Sequence, residues 1–556
     1  MIRHRLAELI RQALLAAQAA GDLPRFDLPA DMSVERPQKE GVGDLTTTLP
    51  LKMARAARMP PLKIADAIVK HLPKSDFLGL VDVAPPGFIN VTLSDEWIAR
   101  QVETIIAAGE TFGNVDLGKG KRVQVEYVSA NPTGPLSVGS GRNAVLGDSV
   151  ANILQRAGYQ VQREFYINDA GTQVSYFSES LFARYAQALG KSDEQVPENG
   201  YHGDYMVELG RQLAQEVGDR YLTMPRTDAL REVGEWGRRK VLDSYREDLE
   251  LIGVRFDNWF SERTLYESGL FDRLLAILKK NGYTVERDGA IWFASKNLGE
   301  DKDNVIVRSG GRGPTYFASD IAYHYNKFVE RGFDYVIDVW GADHQGHVSR
   351  VKTAIAAFGV DPNRLTVLLY QLVTVKRGGQ VVRMSRRKGE IISLREVVDE
   401  VGADAVRYFL LARSADAQMD FDLELAKEQS AENPVYYIQY AHARIASILR
   451  NAGTLADGTG DVSLLRSEPE LTLIRKMLEL PEVIEKAATN LEPHHVPHYA
   501  LELAGVFHTF YKQCRVLSSE PGDEAISKAR LKLVRAAGIV FANTLRTMGM
   551  SVPDQM

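Results

Sequence analysis

With one cysteine in 556 residues, Cys514, the chain cannot form an internal disulfide, and without cysteine pairs no structural zinc site or other bound metal is expected. No apolar run is long enough to span a bilayer. The opening MIRHRLAELIRQALLAAQAAGDL reads as an amphipathic helix broken by charges and carries no cleavage-like site. These absences point to a reducing compartment, the cytoplasm, and to no membrane partner. An excess of one charge is also missing: a net charge of −6 excludes a protein coated in basic patches. A large acidic chain can still grip nucleic acid through local stripes, so charge leaves RNA binding open. No internal repeat is evident. What the chain does have is 45% hydrophobic and 25% charged residues, enough for several cores in about three domains.

Three compositional zones follow. Residues 1–110 open with a helix and close on LVDVAPPGFINVTLSDEWIARQV, which reads as strand, Pro-Pro-Gly turn, strand and helix in a compact α+β module. Across residues 111–410, the β-branched runs RVQVEYV, YQVQREFYI and DYVIDVW alternate with helical patterns, predicting an α/β fold with a parallel sheet and a nucleotide site at its strand ends. A charged helical stretch near 175–250 interrupts that rhythm as an insertion. Residues 411–556 read as an all-α bundle without strands, and NAGTLADGTGDVSLLRSEPE is a loop inside it.

Two stretches carry phosphate chemistry. In VEYVSANPTGPLSVGSGRN a strand runs into a Pro/Gly turn and then a helix start, whose N–H groups and positive dipole end suit an anion. Gly139-Ser140-Gly141-Arg142-Asn143-Ala144 also fits the dinucleotide pattern G-x-G-x-x-A, with Glu164 at the expected distance. That pattern wants its first glycine directly after the strand, and SANPTGPLSV with two prolines intervenes, so a nicotinamide-dependent oxidoreductase is disfavoured. In VKRGGQVVRMSRRKGEIISL, Lys376, Arg377, Arg383, Arg386, Arg387 and Lys388 crowd a Gly-Gly hairpin and a short loop. By composition alone this is a solvated basic hairpin.

The ordered blocks ANPTGPLSVGSGR, REFYINDAGTQ, WFSERTLYESG, PTYFASDIAYH, WGADHQGHVSRVK, VVRMSRRKG, VGADAVRYFLLARS and NPVYYIQYAHARI resemble the bacterial arginyl-tRNA synthetases over nearly the whole chain, to the closing MGMSVPDQM. The resemblance implies a class I synthetase. Its parts would be an N-terminal additional domain at the tRNA elbow, a Rossmann-like parallel-sheet catalytic domain and a C-terminal all-α anticodon-binding bundle. It implies arginine, ATP with Mg²⁺ as a substrate complex and tRNA(Arg) as partners, a monomeric state, and tRNA dependence even of arginine activation.

A guanidinium offers five donors in a planar fork and needs facing carboxylates. The matched positions are Glu126, Asn131, Glu262, Tyr316, Asp320, Asp343 and His344. Tyr316 and Asp320, four apart, share one face if helical and are assigned to the guanidinium, with Asn131 near the main-chain groups. Gln345 stands where histidine is common, and His347 is expected on an apolar strand end. The ATP set is Pro132, Gly134, Ser137, Gly139, Ser140, Gly141, Arg383 and Arg386, with Met384, Ser385 and Lys388 completing the catalytic positions.

Both ATP motifs depart from the family. Lys-Met-Ser-Lys stands as Arg383-Met384-Ser385-Arg386, which keeps the charge and adds a fork suited to phosphate. His-x-Gly-His stands as Ser137-Val138-Gly139-Ser140. A hydroxyl donates one bond, is shorter than an imidazole and cannot become cationic, and one such donor is typically worth about a hundred- to a thousandfold in rate. A ligase is the main expectation; the alternative is a weakened or inactive paralogue that still binds arginine and tRNA. On the RNA side, Tyr436, Tyr440 and Arg444 fall on one helical face with Tyr437 beside it, either a stacking surface for unpaired bases or a packed core stripe. Near the N-terminus, Leu45 and Thr48 replace the family's usual Tyr and Asn, and Arg407 reads as structural.

Overall fold

The computed structural model describes every residue except 38, 40, 170, 311–312, 383–391 and 519. Near the N-terminus, the expected strand, turn, strand and helix are Leu78–Ala84, Phe88–Leu93 and Asp95–Ala108, with Leu45–Thr47 completing an antiparallel sheet. Ser94 caps the last helix and Asp95 and Glu96 fill its first turn, where a carboxylate meets the positive dipole end. This module docks on the C-terminal helices through charge: Arg36 bonds Glu482, and Arg475 reaches back to Asp44 and Asp95.

The centre is a five-stranded, all-parallel sheet in the order Leu365–Tyr370, Tyr335–Gly341, Arg122–Glu126, Gln160–Ile167, Asn258–Ser261. Chain order reverses between Arg122–Glu126 and Tyr335–Gly341, and a ligand crevice belongs outside the carboxyl ends at such a reversal. The helices Thr172–Ala188, Asp204–Val217 and Arg226–Leu251 lie between the strands Gln160–Ile167 and Asn258–Ser261 of that sheet.

Two strand groups depart from the sequence reading. Met419–Asp422 lies past residue 410, where no strand was expected, and runs parallel to Val373–Arg377. Four residues with only Met419 and Phe421 buried are too short to leave a legible period, and the partner strand is remote in sequence. A small antiparallel sheet of Thr284–Arg287, Ala290–Phe293 and Asn304–Val307 also went unread. The Gly-Gly hairpin is present, with Gly378 and Gly379 at φ 56° and 77° between Val373–Arg377 and Gln380–Val381, a turn that requires positive φ.

Arg407 is structural. Fully buried, its guanidinium donates to Met548 O at 2.6 Å, to Ile252 O at 2.6 Å and to the Asp148 carboxylate, joining the C-terminal bundle, the insertion and the Val138–Arg156 helix.

Candidate active site

Strand register sets a row of carboxylates across the sheet, because Asp338 pairs with Glu126 and Glu126 with Glu164. Three buried anions side by side require cations. A π-turn over Asn326–Glu330 delivers Lys327, wholly buried, whose Nζ lies 2.6 Å from Glu126 Oε2 and 2.8 Å from Asp338 Oδ1. His324 bonds Asp338 at 2.8 Å, and Arg331 with Tyr323 and Asn258 satisfies Glu164. Burial pulls the Lys327 ammonium down, but the Asp338 and Glu126 carboxylates outweigh it and raise it; burial pushes the Asp338 carboxyl up, but Lys327 and His324 outweigh it and hold it well below the usual carboxylate range. Glu164 therefore lies under the sheet's surface in an ion pair, not at a ribose as the dinucleotide pattern would have it.

Glu126 belongs to this foundation and does not open onto a guanidinium. One oxygen takes Lys327 and the other accepts from Ser129 Oγ at 2.8 Å. Its work is done one residue layer higher. Val128 and Ser129 both have left-handed backbones, φ 67° and 43°, strained for a β-branched residue, and the Val128 N–H donates to Asn143 Oδ1 at 2.7 Å. The turn that follows carries Asn131, whose Nδ2 donates to Gln173 at 2.6 Å, with Pro132 buried and Gly134 so close to Tyr205 that a Cβ would sit 3.0 Å from its ring.

Ser137 caps the Val138–Arg156 helix: its Oγ accepts from Ser140 N at 3.2 Å and lies 3.2 Å from Ser140 Oγ. A serine at this position thus organises the helix N-terminus that an anion would meet. Gly139 has room around it. Gly141 does not: it is buried, and a Cβ there would come within 2.8 Å of Leu394, so it is a packing position for the Leu394–Val401 helix, not a phosphate contact. Ser137 also bridges Ser393, and Leu394 N donates to Leu136 O at 2.7 Å. The catalytic positions Arg383, Met384, Ser385, Arg386 and Lys388 lie outside the described residues; Lys376, before them, pairs with Asp420 at 2.6 Å.

The other strand ends supply an acidic pocket. Glu262 follows Asn258–Ser261 and is 3% exposed; Ser319 Oγ donates to its Oε1 at 2.6 Å, while its buried Oε2 has no hydrogen-bond partner among the described residues. Burial pushes its carboxyl up to about 7 against the bond from Ser319, and the Asp320 and Asp169 charges add to the rise. Tyr316 and Asp320 share the Tyr316–Tyr325 helix, and His347 Nε2 sits 2.6 Å from Asp320 Oδ2. His347 is not on a strand end: the strand stops at Gly341, and His347 lies in the first turn of the Gln345–Ala357 helix, against Phe317 and Trp340. Asp343 and His344 are exposed in the connecting turn.

Far from this crevice, on the Pro434–Ala452 helix, Tyr436 and Tyr440 stack at 5.9 Å and 13°, and the Arg444 guanidinium lies over the rings of Tyr440 and Tyr511. Tyr436, Tyr440 and Arg444 are half-buried and Tyr511 is exposed. Tyr437 turns to His508, at 4.5 Å.

Family profiles match in three blocks: "Arginyl tRNA synthetase N terminal domain" over residues 4–93, "tRNA synthetases class I (R), catalytic domain" over 101–447 and "DALR anticodon binding domain" over 438–556. The chain is 54% identical over 557 residues to an arginine–tRNA ligase of Dehalococcoides mccartyi (strain CBDB1), spanning 100% of this chain and 99% of the relative. It is 50% identical over 546 residues to one of Carboxydothermus hydrogenoformans, with 97% of each chain covered. Thermus thermophilus arginyl-tRNA synthetase shares the fold, with a TM-score of 0.76 at 23% identity and 100% of both chains covered.

Proposed function

The chain belongs to the arginyl-tRNA synthetase family, and from that premise we propose that it joins L-arginine to ATP and passes the arginyl group to the 3′ end of tRNA(Arg). In the first step an arginine carboxylate oxygen attacks the α-phosphorus and the bond to pyrophosphate breaks. In the second a hydroxyl of the terminal adenosine attacks the arginyl carbonyl carbon, AMP leaves and the hydroxyl proton is released. Such steps ask the protein for position and for charge opposite the oxygens in flight. The observation that carries the reading is the buried Glu262 Oε2, without a hydrogen-bond partner among the described residues, on a carboxyl that feels the Asp320 charge, an acceptor pair suited to a forked cation.

Tyr316 closes the guanidinium pocket, Asn131 meets the main-chain groups, and Asp343 and His344 border the adenosine side. ATP, with Mg²⁺ as part of the substrate, lies along Pro132 and Gly134 with its phosphates toward Ser137, Gly139, Ser140 and the cations of 383–388. Tyr436, Tyr440 and Arg444 offer planes for unpaired anticodon bases, with Tyr437 backing them, and the protein acts as a monomer.

The test is charging of tRNA(Arg) by the unaltered chain and by Ser137→His, Ser140→His. The backbone N–H groups and dipole of the helix N-terminus are kept in both, and the Ser137 cap in the unaltered chain alone, so the unaltered chain is expected to charge within about tenfold of the histidine form. Charging by the histidine form alone would overturn the reading in favour of an inactive paralogue. A second expectation concerns pH. A guanidinium binds the ionised Glu262, so arginine binding releases a proton and strengthens as pH rises through about 7. The arginine KM is expected to fall about tenfold between pH 6 and pH 8, with the ATP KM flat over the same range. An arginine KM independent of pH would place the guanidinium elsewhere.

A further inference from the structure

The turn that carries Asn131 and Gly134 is held from outside the catalytic sheet. Tyr245, 2% exposed on the Arg226–Leu251 insertion helix, places its hydroxyl 2.8 Å from Asn131 O and 2.7 Å from Gly134 O. Tyr205, on the Asp204–Val217 insertion helix, donates to Thr133 O at 2.8 Å. Three carbonyls of one short turn thus meet tyrosine hydroxyls of the insertion. The Arg226–Leu251 helix has a second attachment one turn on. Asp248, 3% exposed, accepts from Arg395 Nε at 2.7 Å, and Glu247 takes the same guanidinium at 3.4 Å. Arg395 lies on the Leu394–Val401 helix, the one that packs on Gly141 and whose cap, Ser393, is bridged to Ser137.

We propose that the Arg226–Leu251 helix is a brace that fixes the separation between the Asn131–Gly134 turn and the Leu394–Val401 helix, with Tyr245 and Asp248 as positioning residues for adenylate formation. Neither reaches a substrate; each acts through the segment it holds. Spacing explains why both lie on this helix, since residues three apart share a face. The ring of Tyr245 is independently seated against Phe165, 6.2 Å between centroids, so removing the hydroxyl leaves this packing in place and frees the two carbonyls. A turn released in this way shifts by a fraction of an ångström to an ångström, and a misplacement of that size at reacting atoms costs up to about a hundredfold. The inference rests on the arginine-activating reading of the site.

The experiment compares the unaltered chain with Tyr245→Phe, Asp248→Asn and the double variant in tRNA-dependent ATP–pyrophosphate exchange, alongside thermal melting and calorimetric ATP binding. Tyr245→Phe is expected to lower kcat about ten- to a hundredfold and to raise the ATP KM, with a melting temperature within about 2 °C of the unaltered chain. Asp248→Asn moves the same parameters the same way, and the double variant loses less than the product of the singles, as two attachments of one brace require. A lower melting temperature with kcat and KM unchanged would reduce Tyr245 to a packing residue and overturn the proposal, as would variants that match the unaltered chain in every readout. Absence of exchange in the unaltered chain would sink the arginine-activating reading instead. ATP binding then decides the brace separately: equal affinity in all four proteins overturns it, and weaker binding by the variants sustains it.

Discussion

Asp320→Asn is expected to raise the arginine KM by about two to four orders of magnitude in tRNA-dependent exchange while the ATP KM stays within about threefold, because truncating one member of a desolvated charged pair leaves the other unpaired. Asn keeps the shape and removes only the charge. His347, now 2.6 Å from Asp320 Oδ2, keeps an acceptor, so the fold is not disturbed. Glu262→Gln is expected to do the same to arginine but to behave differently in stability. The folded carboxyl sits at about 7, above its unfolded value, so the folded protein holds a proton that the unfolded chain gives up. Its ionisation therefore costs stability as pH rises from the unfolded value through about 7. The glutamine form should melt higher than the unaltered chain at pH 8 and equally at pH 5, a gain in stability bound to a loss of function. An unchanged arginine KM in either variant would move the guanidinium site away from these two residues.

The second large effect lies beneath the site. Lys327→Met is expected to destabilise the protein by about 3–5 kcal/mol at pH 8 in urea unfolding, since Glu126 and Asp338 would be left as buried anions without their cation. Asp338 is held low by Lys327 and His324, so its contribution is present above the unfolded carboxylate range and is lost only in strong acid. Without the ammonium that carboxyl takes up a proton far more readily. The deficit of the variant should thus shrink between pH 8 and pH 5, and Glu126→Gln added to Lys327→Met should recover part of it. A deficit independent of pH would mean lost packing and not unpaired charge.

Why Glu126 belongs to the foundation could not be read from VEYVSANPTG. Its partner Lys327 is 201 positions away in HYNKFVE, where a single lysine in an aromatic stretch gives no sign of burial. The strand itself was legible because RVQVE is β-branched and ends on a turn signal, whereas Glu262, Tyr316 and Asp320 were picked out only as an ordered set in the family's blocks, since each taken alone reads as a capping or surface residue. Gly141 and His347 were misplaced for a common reason: each lies just past an element boundary, where a shift of two or three residues exchanges a strand end for a helix and a phosphate contact for a packing contact. The pairing of Met419–Asp422 with Val373–Arg377 and the grip of Tyr245 on the turn are long-range facts that no local period encodes.

Arg407 also sets an order of events in biosynthesis. Its guanidinium needs the Asp148 carboxylate and the Ile252 carbonyl, both made earlier, and the Met548 carbonyl, made 141 residues later. Until that segment leaves the ribosome, the nascent catalytic half carries a buried cation short of one acceptor, and it completes its interior only when the bundle docks. A chain stalled in the bundle would therefore present its chaperones with an unfinished catalytic domain, not a finished one trailing a missing appendage.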